Sequence, residues 1–313
     1  MERVIKKIPI PIAGLMLALA ALGNLILSYG SVYRNIFGVI SAGILILLII
    51  KILTGFKTIV EKLNNPVIAS VSPTFSMGLM ILSTYIKPSL PSIAYGIWIL
   101  GILIHCVLIV YFTKKHVLKF SIEKIFPSCF VVYVGIVVAS VTAPAYNMIK
   151  LGQIIFWFGL ISYLALLPIV TYRVFFIKRI KEPALPTIAI FAAPASLCLA
   201  GYMSSFIEKN MIIIVFLTCL SLIMTASVLM YMPKMLRIKF YPSYAAFTFP
   251  FVISAIAIKK VNGFLIKINQ SIEVLNYIVK FEELIAVLIV IYVLIRYVSF
   301  IFVKEEVDNT IKN

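Results

Sequence analysis

Apolar residues in this chain gather into long unbroken runs, and charge falls mainly between them. Ten such runs lie near 9–29, 35–54, 66–86, 92–112, 126–146, 150–172, 185–206, 211–232, 242–260 and 279–302. Each approaches or exceeds the ~20 residues that a helix needs to cross a bilayer core. The first run follows Arg3, Lys6 and Lys7 as a secretory leader would. From Ile8 to Leu27, however, it is longer than a leader's apolar region and shares a pattern with later runs, so it reads as a mature helix.

That shared pattern is set by proline. Pro9, Pro66, Pro127, Pro186 and Pro242 open the odd-numbered runs, at intervals of 57, 61, 59 and 56 residues. Such an interval is the length of a two-helix hairpin with its loops, and a fixed period marks an internal repeat. Seven or eight residues further on comes a second distinctive position: Met16, Pro73, Gly135, Pro194 and Pro250. The chain therefore reads as one transmembrane domain, 1–313, of five related hairpins near 8–57, 64–115, 125–178, 184–235 and 241–304.

Odd and even runs differ in kind. The even ones, such as IFGVISAGILILLII and ELIAVLIVIYVLIRYV, are dominated by Ile, Leu and Val, as lipid-facing helices are. The odd ones carry Gly, Ala, Ser, Thr and Pro, which let membrane helices approach closely. The expectation is an all-α integral membrane protein of ten transmembrane helices, with the odd-numbered helices as an inner ring that leaves a central pore. Pro73, Pro194 and Pro250 lack an N–H, and are expected to free the carbonyls of Ala69, Ile190 and Ala246. Freed carbonyls at membrane depth are tolerated where they face protein or a water-filled cavity.

Between their ends the odd runs contain no Asp, Glu, Lys, Arg or His. A path through them would be lined by apolar atoms, backbone dipoles and hydroxyls such as Ser72, Thr74, Ser140, Thr142, Ser196, Thr248 and Ser254. That lining suits a monovalent anion held weakly enough to leave. The candidate kink and lining residues are Gly14, Leu15, Ser72, Pro73, Val134, Gly135, Ala193, Pro194 and Pro250. Phe249 is the one large ring at its position, where the other repeats have Leu15, Ser72, Val134 and Ala193. It either occludes a narrow axis or packs between helices. Phe247 and Phe251 lie roughly 200° around the helix from it, so the three cannot all face one axis.

Composition and charge narrow the classes. The 313 residues are 63% hydrophobic and 12% charged, with mean hydropathy +1.12, which leaves no length for a soluble domain. The net charge of +17 invites a nucleic-acid reading. Its distribution answers that reading. Twenty of the 28 basic residues fall at the N-terminus, after even-numbered runs, or at the C-terminal end: Arg3, Lys6, Lys7, Lys51, Lys57, Lys62, Lys114, Lys115, Lys119, Lys124, Arg173, Lys178, Arg179, Lys181, Lys234, Arg237, Lys239, Arg296, Lys304 and Lys312. This is the positive-inside bias of a multi-pass protein of the plasma or inner membrane with both termini cytoplasmic, and no nucleic acid is needed to explain it.

Cys106, Cys129, Cys198 and Cys219 sit in apolar runs without a C-x-x-C pair, and read as buried small hydrophobes. No nucleophile–base pair, phosphate loop or metal spacing stands out, so neither an enzyme nor a cofactor is expected. His105 reads as a hydrogen-bonded membrane histidine and His116 as part of a cytoplasmic loop. Glu282 and Glu283 read as opening the last helix, where carboxylates complement the helix dipole, and Arg296 as snorkelling towards the cytoplasm.

The segments PIPIAGLMLALAALGNL, PVIASVSPTFSMGLMIL and AAFTFPFVISAIA, in that order, resemble the tellurite-resistance/dicarboxylate transporter family. It includes a bacterial tellurite-resistance protein, plant slow-type anion channels and fungal malate permeases. The resemblance runs over the whole chain. It implies five hairpins in quasi-five-fold symmetry, a pore through each protomer, a homotrimer, and a phenylalanine plug that maps onto Phe249 before Pro250. Met16 departs from a Gly-x-Pro pattern of bacterial relatives, and the long cytoplasmic tails of the plant channels are missing. Within the family the expected function is passage of small anions such as chloride or nitrate through a phenylalanine-gated pore. The alternative is a secondary carrier for malate or a related four-carbon dicarboxylate, or for an oxyanion such as tellurite. Such a carrier would be expected to show a basic residue and a titratable partner in the odd runs. A sensor or scaffold would need a partner surface or a soluble output domain, and the chain has no spare length for the latter.

Overall fold

The computed structural model describes residue 5 and residues 7–118, 121–178 and 180–302. Arg3, Lys6, Lys119, Arg179, Lys304, Lys312 and both chain ends lie outside them. Among the described residues, nine helices are long and apolar enough to cross a membrane. They are Ile12–Tyr29 (span 1), Ser31–Lys62 (span 2), Pro66–Ile86 (span 3), Pro91–Val117 (span 4), Ile149–Ile177 (span 6), Glu182–Ser205 (span 7), Met211–Met235 (span 8), Pro242–Lys267 (span 9) and Glu273–Phe302 (span 10). The segment at 129–146, span 5, is broken into four short pieces. Gly135 starts one of them, Pro144 lies in the last, and valines crowd the turns between.

The prolines act at the start of helices, where a missing N–H costs least. Asn65 caps span 3 by accepting from Val67 N at 2.9 Å, with Pro66 in the first turn. Span 3 then breaks, and Pro73 caps its second half, Thr74–Ile86. Spans 7 and 9 open as tight three-residue turns, Glu182–Ala192 and Pro242–Phe247, and become α-helical at Ala193 and Phe249. Pro194 and Pro250 sit in the first turns of those α segments. In span 7 the tight turn carries its own bond, Ala193 N–H to Ile190 O. The Ile190 carbonyl is therefore paired and not freed, because i→i+3 bonding moves the donor one residue ahead of the proline.

Each odd span packs against the next odd span, 1 on 3, 3 on 5, 5 on 7 and 7 on 9, and span 9 returns to span 1. Each even span packs on the odd span before it. Between 67% and 89% of the apolar stretch of spans 1, 3, 7 and 9 is buried within the chain, against 28% to 33% for the even spans. Side-chain bonds to backbone tie the layers together. Ser41 Oγ of span 2 donates to Met16 O at 2.6 Å, and Tyr85 OH of span 3 donates to Ala20 O at 2.6 Å. Tyr85 fits because Gly23 and Gly38 present no Cβ where its ring and hydroxyl lie.

Helix lengths differ from the sequence reading where charge was taken as an end. Span 2 begins at Ser31 and runs through Lys51 and Lys57 to Lys62, with a break at Gly55 (φ −142°, ψ 34°). At ~1.5 Å per residue its 32 residues reach well beyond a ~30 Å bilayer core. Span 10 begins at Glu273, so Glu282 and Glu283 lie more than two turns inside it and are buried, not at its first turn. A helix continues past charges because its backbone bonds do not depend on them, whereas hydropathy reports only where lipid ends. Cys129 and Cys198 are buried as expected, but Cys106 and Cys219 are exposed on outer helices. His116 is buried at the end of span 4, its Nε2 3.1 Å from Leu63 O, and not in a loop. His105 is fully buried between spans, its ring nitrogens 2.9 Å from Ser76 Oγ and 3.1 Å from Val132 O.

Candidate functional site

The breaks of spans 3, 5, 7 and 9 and the first turn of span 1 converge on one cavity of about 70 Å³. All five odd spans contribute to its wall: Pro11 and Gly14, Val71 and Thr74, Phe130 and Val134, Ile190 and Ala193, and Ala246 and Phe249. Among the described residues, no Asp, Glu, Lys, Arg or His lines it. Of the residues singled out from the sequence, Gly14, Val134, Gly135, Ala193, Pro194, Phe249 and Pro250 lie in this wall. Leu15, Ser72 and Pro73 do not; their places are taken by Gly14, Val71 and Thr74. Leu15 is fully buried among apolar neighbours, and Ser72 turns its hydroxyl to Ile68 O at 2.7 Å. The shift arises because spans 1 and 3 are α-helical where spans 7 and 9 are more tightly wound, so equal sequence offsets point in different directions.

Phe249 opens its α segment with 6% of its surface exposed. Phe247 and Phe251 are buried and lie outside this wall; Phe247 packs on Tyr244 with ring centroids 4.9 Å apart. A second aromatic in the wall, Phe130 of span 5, was missed from the sequence. It lies one turn before Val134, and that i, i+4 relation was the available signal. Phe130 is fixed by Phe191 and Tyr163, at 5.6 and 5.8 Å between centroids. Phe249 makes no such ring contact in the described structure. Two close approaches keep the wall thin. A Cβ on Gly14 would stand 3.2 Å from Ala245 Cβ, and one on Gly135 would stand 2.8 Å from Met77 Sδ.

Hydroxyls line this cavity less than the sequence suggested. Of the seven named, only Thr74 is in the wall, and it donates to Val71 O at 2.7 Å. Ser140 donates to Gly152 O, Ser196 to Ala192 O, and Thr142 to Val138 O while accepting from Trp98 Nε1 at 2.8 Å. Away from water a hydroxyl gains most by satisfying a carbonyl or a neighbouring polar group. Several N–H groups at the breaks are also paired, as in Gly14 N to Pro11 O at 2.9 Å and Thr248 N to Ala245 O at 3.2 Å. An ion here would meet helix dipoles and apolar walls, not a ring of open donors.

The cavity adjoins a vestibule of about 770 Å³ at the N-terminal ends of the odd spans. Pro11, Val67, Ile68 and Ser243 belong to both walls. Lys62, Arg173 and Lys181 line the vestibule with one carboxylate, Glu123, so its field favours anions. Buried Arg173 reaches it from span 6, its Nη1 donating to Lys178 O. The opposite ends of spans 1 and 9 are joined to span 10 by Lys259. It donates to Leu25 O at 2.9 Å, Ser28 Oγ at 2.8 Å and Glu283 at 2.6 Å.

No curated protein sequence matches the chain at a significant level. A family model described as voltage-dependent anion channel matches residues 8–298, which reaches into every span and covers the whole of the cavity wall. With its membrane-spanning helices, its charge-free cavity and its basic vestibule, the chain belongs to the voltage-dependent anion channel family and is a multi-pass membrane protein of anion transport.

Proposed function

We propose that small monovalent anions of the chloride or nitrate type pass along the axis enclosed by the odd spans, and that Phe249 is the constriction that closes it. On this reading the five hairpins repeat around a quasi-five-fold axis. The vestibule is the cytoplasmic mouth, so the termini are cytoplasmic. The protein works in the plasma or inner membrane as a homotrimer with one pore per protomer, an assembly implied by the family resemblance. The carrying observation is the cavity itself. The breaks of spans 3, 5, 7 and 9 meet the start of span 1 around it, and among the described residues the wall holds no charged side chain and one aromatic, Phe249, without a ring neighbour. Such a site attracts an anion through the mouth and helix dipoles and retains it weakly, which permits fast exit.

The test is flux from proteoliposomes of the purified protein with chloride, nitrate or malate as the only permeant anion. Chloride or nitrate flux that follows the electrical gradient and does not saturate over the accessible range supports the reading. Saturable malate flux driven by a proton gradient, with no chloride or nitrate flux, refutes it in favour of a dicarboxylate carrier.

A further inference from the structure

Span 10 carries two adjacent buried carboxyls, Glu282 at 5% and Glu283 at 6% exposure. Glu283 is matched: Lys259 lies 2.6 Å away and Tyr29 OH donates to it at 2.7 Å. Glu282 has a different set of partners. Its two oxygens share the hydroxyl of Ser254 at 3.1 and 3.0 Å, and Ser254 Oγ lies 2.9 Å from Thr225 Oγ1. Ser254 and Thr225 are buried as well, so spans 8, 9 and 10 meet in a three-oxygen chain ending on a carboxyl.

Such a chain can run in either direction. With the carboxylate ionised, Ser254 donates to it and Thr225 donates to Ser254. With a proton on the carboxyl, its O–H donates to Ser254 Oγ and Ser254 turns its hydrogen to Thr225. The same oxygens serve both states, so one proton is taken up or released without breaking the chain, and what changes is the strength of its bonds.

We propose that Glu282 is a proton-binding site whose occupancy sets how firmly span 9 is held to span 10, and so how far Phe249 is drawn out of the axis. This rests on Phe249 being the constriction. Ser254 stands one turn beyond Pro250 in the helix that Phe249 opens. A hydrogen bond to an ionised acceptor is about twice as strong as one between neutral groups. Proton release therefore pulls span 9 outward against span 10 and favours passage, and proton uptake slackens it. The surrounding charges do not take over this role. From span 9, Lys259 is bonded to Glu283 and Lys260 is exposed. Tyr29 of span 1 donates to Glu283, and Tyr244 of span 9 donates to Ile238 O towards the vestibule end. Lys280 and Glu283 flank Glu282 on span 10 itself, and span 8 has no charged residue before Lys234.

The test uses the full-length protein in proteoliposomes, with anion flux measured between about pH 5 and pH 8 and the carboxylic C=O stretch followed by infrared difference spectroscopy over the same range. Wild-type flux is expected to fall about fivefold on acidification, the ratio set by exchanging a charge-assisted for a neutral hydrogen bond. Glu282→Gln should fix flux near the low value at every pH and abolish the titrating band. Ser254→Ala, which keeps the carboxyl, should keep the band and lose most of the pH dependence of flux. A Glu282→Gln protein whose flux titrates as the wild type does, or a carboxylic band that is constant over the range, overturns the assignment. A titrating band that Glu282→Gln removes, in a protein where Phe249→Ala leaves flux unchanged, keeps the proton site and locates the failure in the constriction instead.

Discussion

Replacing Phe249 by alanine separates a constriction from a packing residue, because the two predict opposite balances of flux and stability. The cavity beside the ring is about 70 Å³, enough for a few waters at most and too little for a hydrated ion. Removing the phenyl ring opens on the order of 100 Å³ more, so the space more than doubles and a partly hydrated anion can pass. Chloride or nitrate flux is expected to rise at least about tenfold, equivalent to removing about 1.4 kcal/mol of barrier. A phenylalanine enclosed in a core loses about 3–5 kcal/mol on truncation to alanine. Phe249 faces the cavity on one side and has no aromatic neighbour, so it forfeits fewer contacts and the loss should be about 1–2 kcal/mol. The paired assays are proteoliposome flux and thermal unfolding in detergent. Unchanged flux with a loss of about 4 kcal/mol would refute the constriction and make Phe249 a packing residue.

Lys62→Glu reverses one of the three cations that line the vestibule among the described residues. Anion flux should fall severalfold at low ionic strength and recover towards wild type above about 0.5 M salt, where the field is screened; a salt-independent loss would place the effect in the fold. Gly14→Val puts branched carbon where even a single Cβ would stand 3.2 Å from Ala245 Cβ. It should cost about 1–3 kcal/mol in detergent unfolding and narrow the cavity from the span 1 side, lowering flux. Trp98→Phe removes the indole N–H donor to Thr142 while leaving a ring against Tyr146. It should lower the apparent Tm by about 2–4 °C, near 1 kcal/mol, without changing which anion passes.

The sequence by itself determined the class and the two kinds of helix. Lipid offers nothing to a backbone polar group, so long charge-free runs must be helices, and the side chains that face lipid differ from those that face protein. The small-residue runs from Pro66 and Pro186 are therefore deeply buried spans, and the Ile-rich run after Ser31 is an exposed one. Pro73, Pro194 and Pro250 marked where spans 3, 7 and 9 break, since a missing N–H is a local covalent fact. Only the tertiary structure decided which residue at each break faces the cavity. Val71 does so where equal spacing pointed to Ser72, and Gly14 does so while Leu15 beside it does not, because spans 1 and 3 are α-helical there and spans 7 and 9 are wound more tightly. Phe130 escaped notice because an aromatic on an apolar run looks alike whether it faces a cavity or a neighbouring helix. The hydroxyls of Ser140, Ser196 and Ser254 were legible as polar atoms in spans, but their partners at Gly152, Ser221 and Glu282 lie on other segments. Glu282 itself read as a helix-opening charge, and became a buried carboxyl only once spans 8 and 9 were folded against it. Propensity and hydropathy act within a few residues of a position, whereas burial and hydrogen-bond pairing are set by whatever the fold brings from elsewhere in the chain.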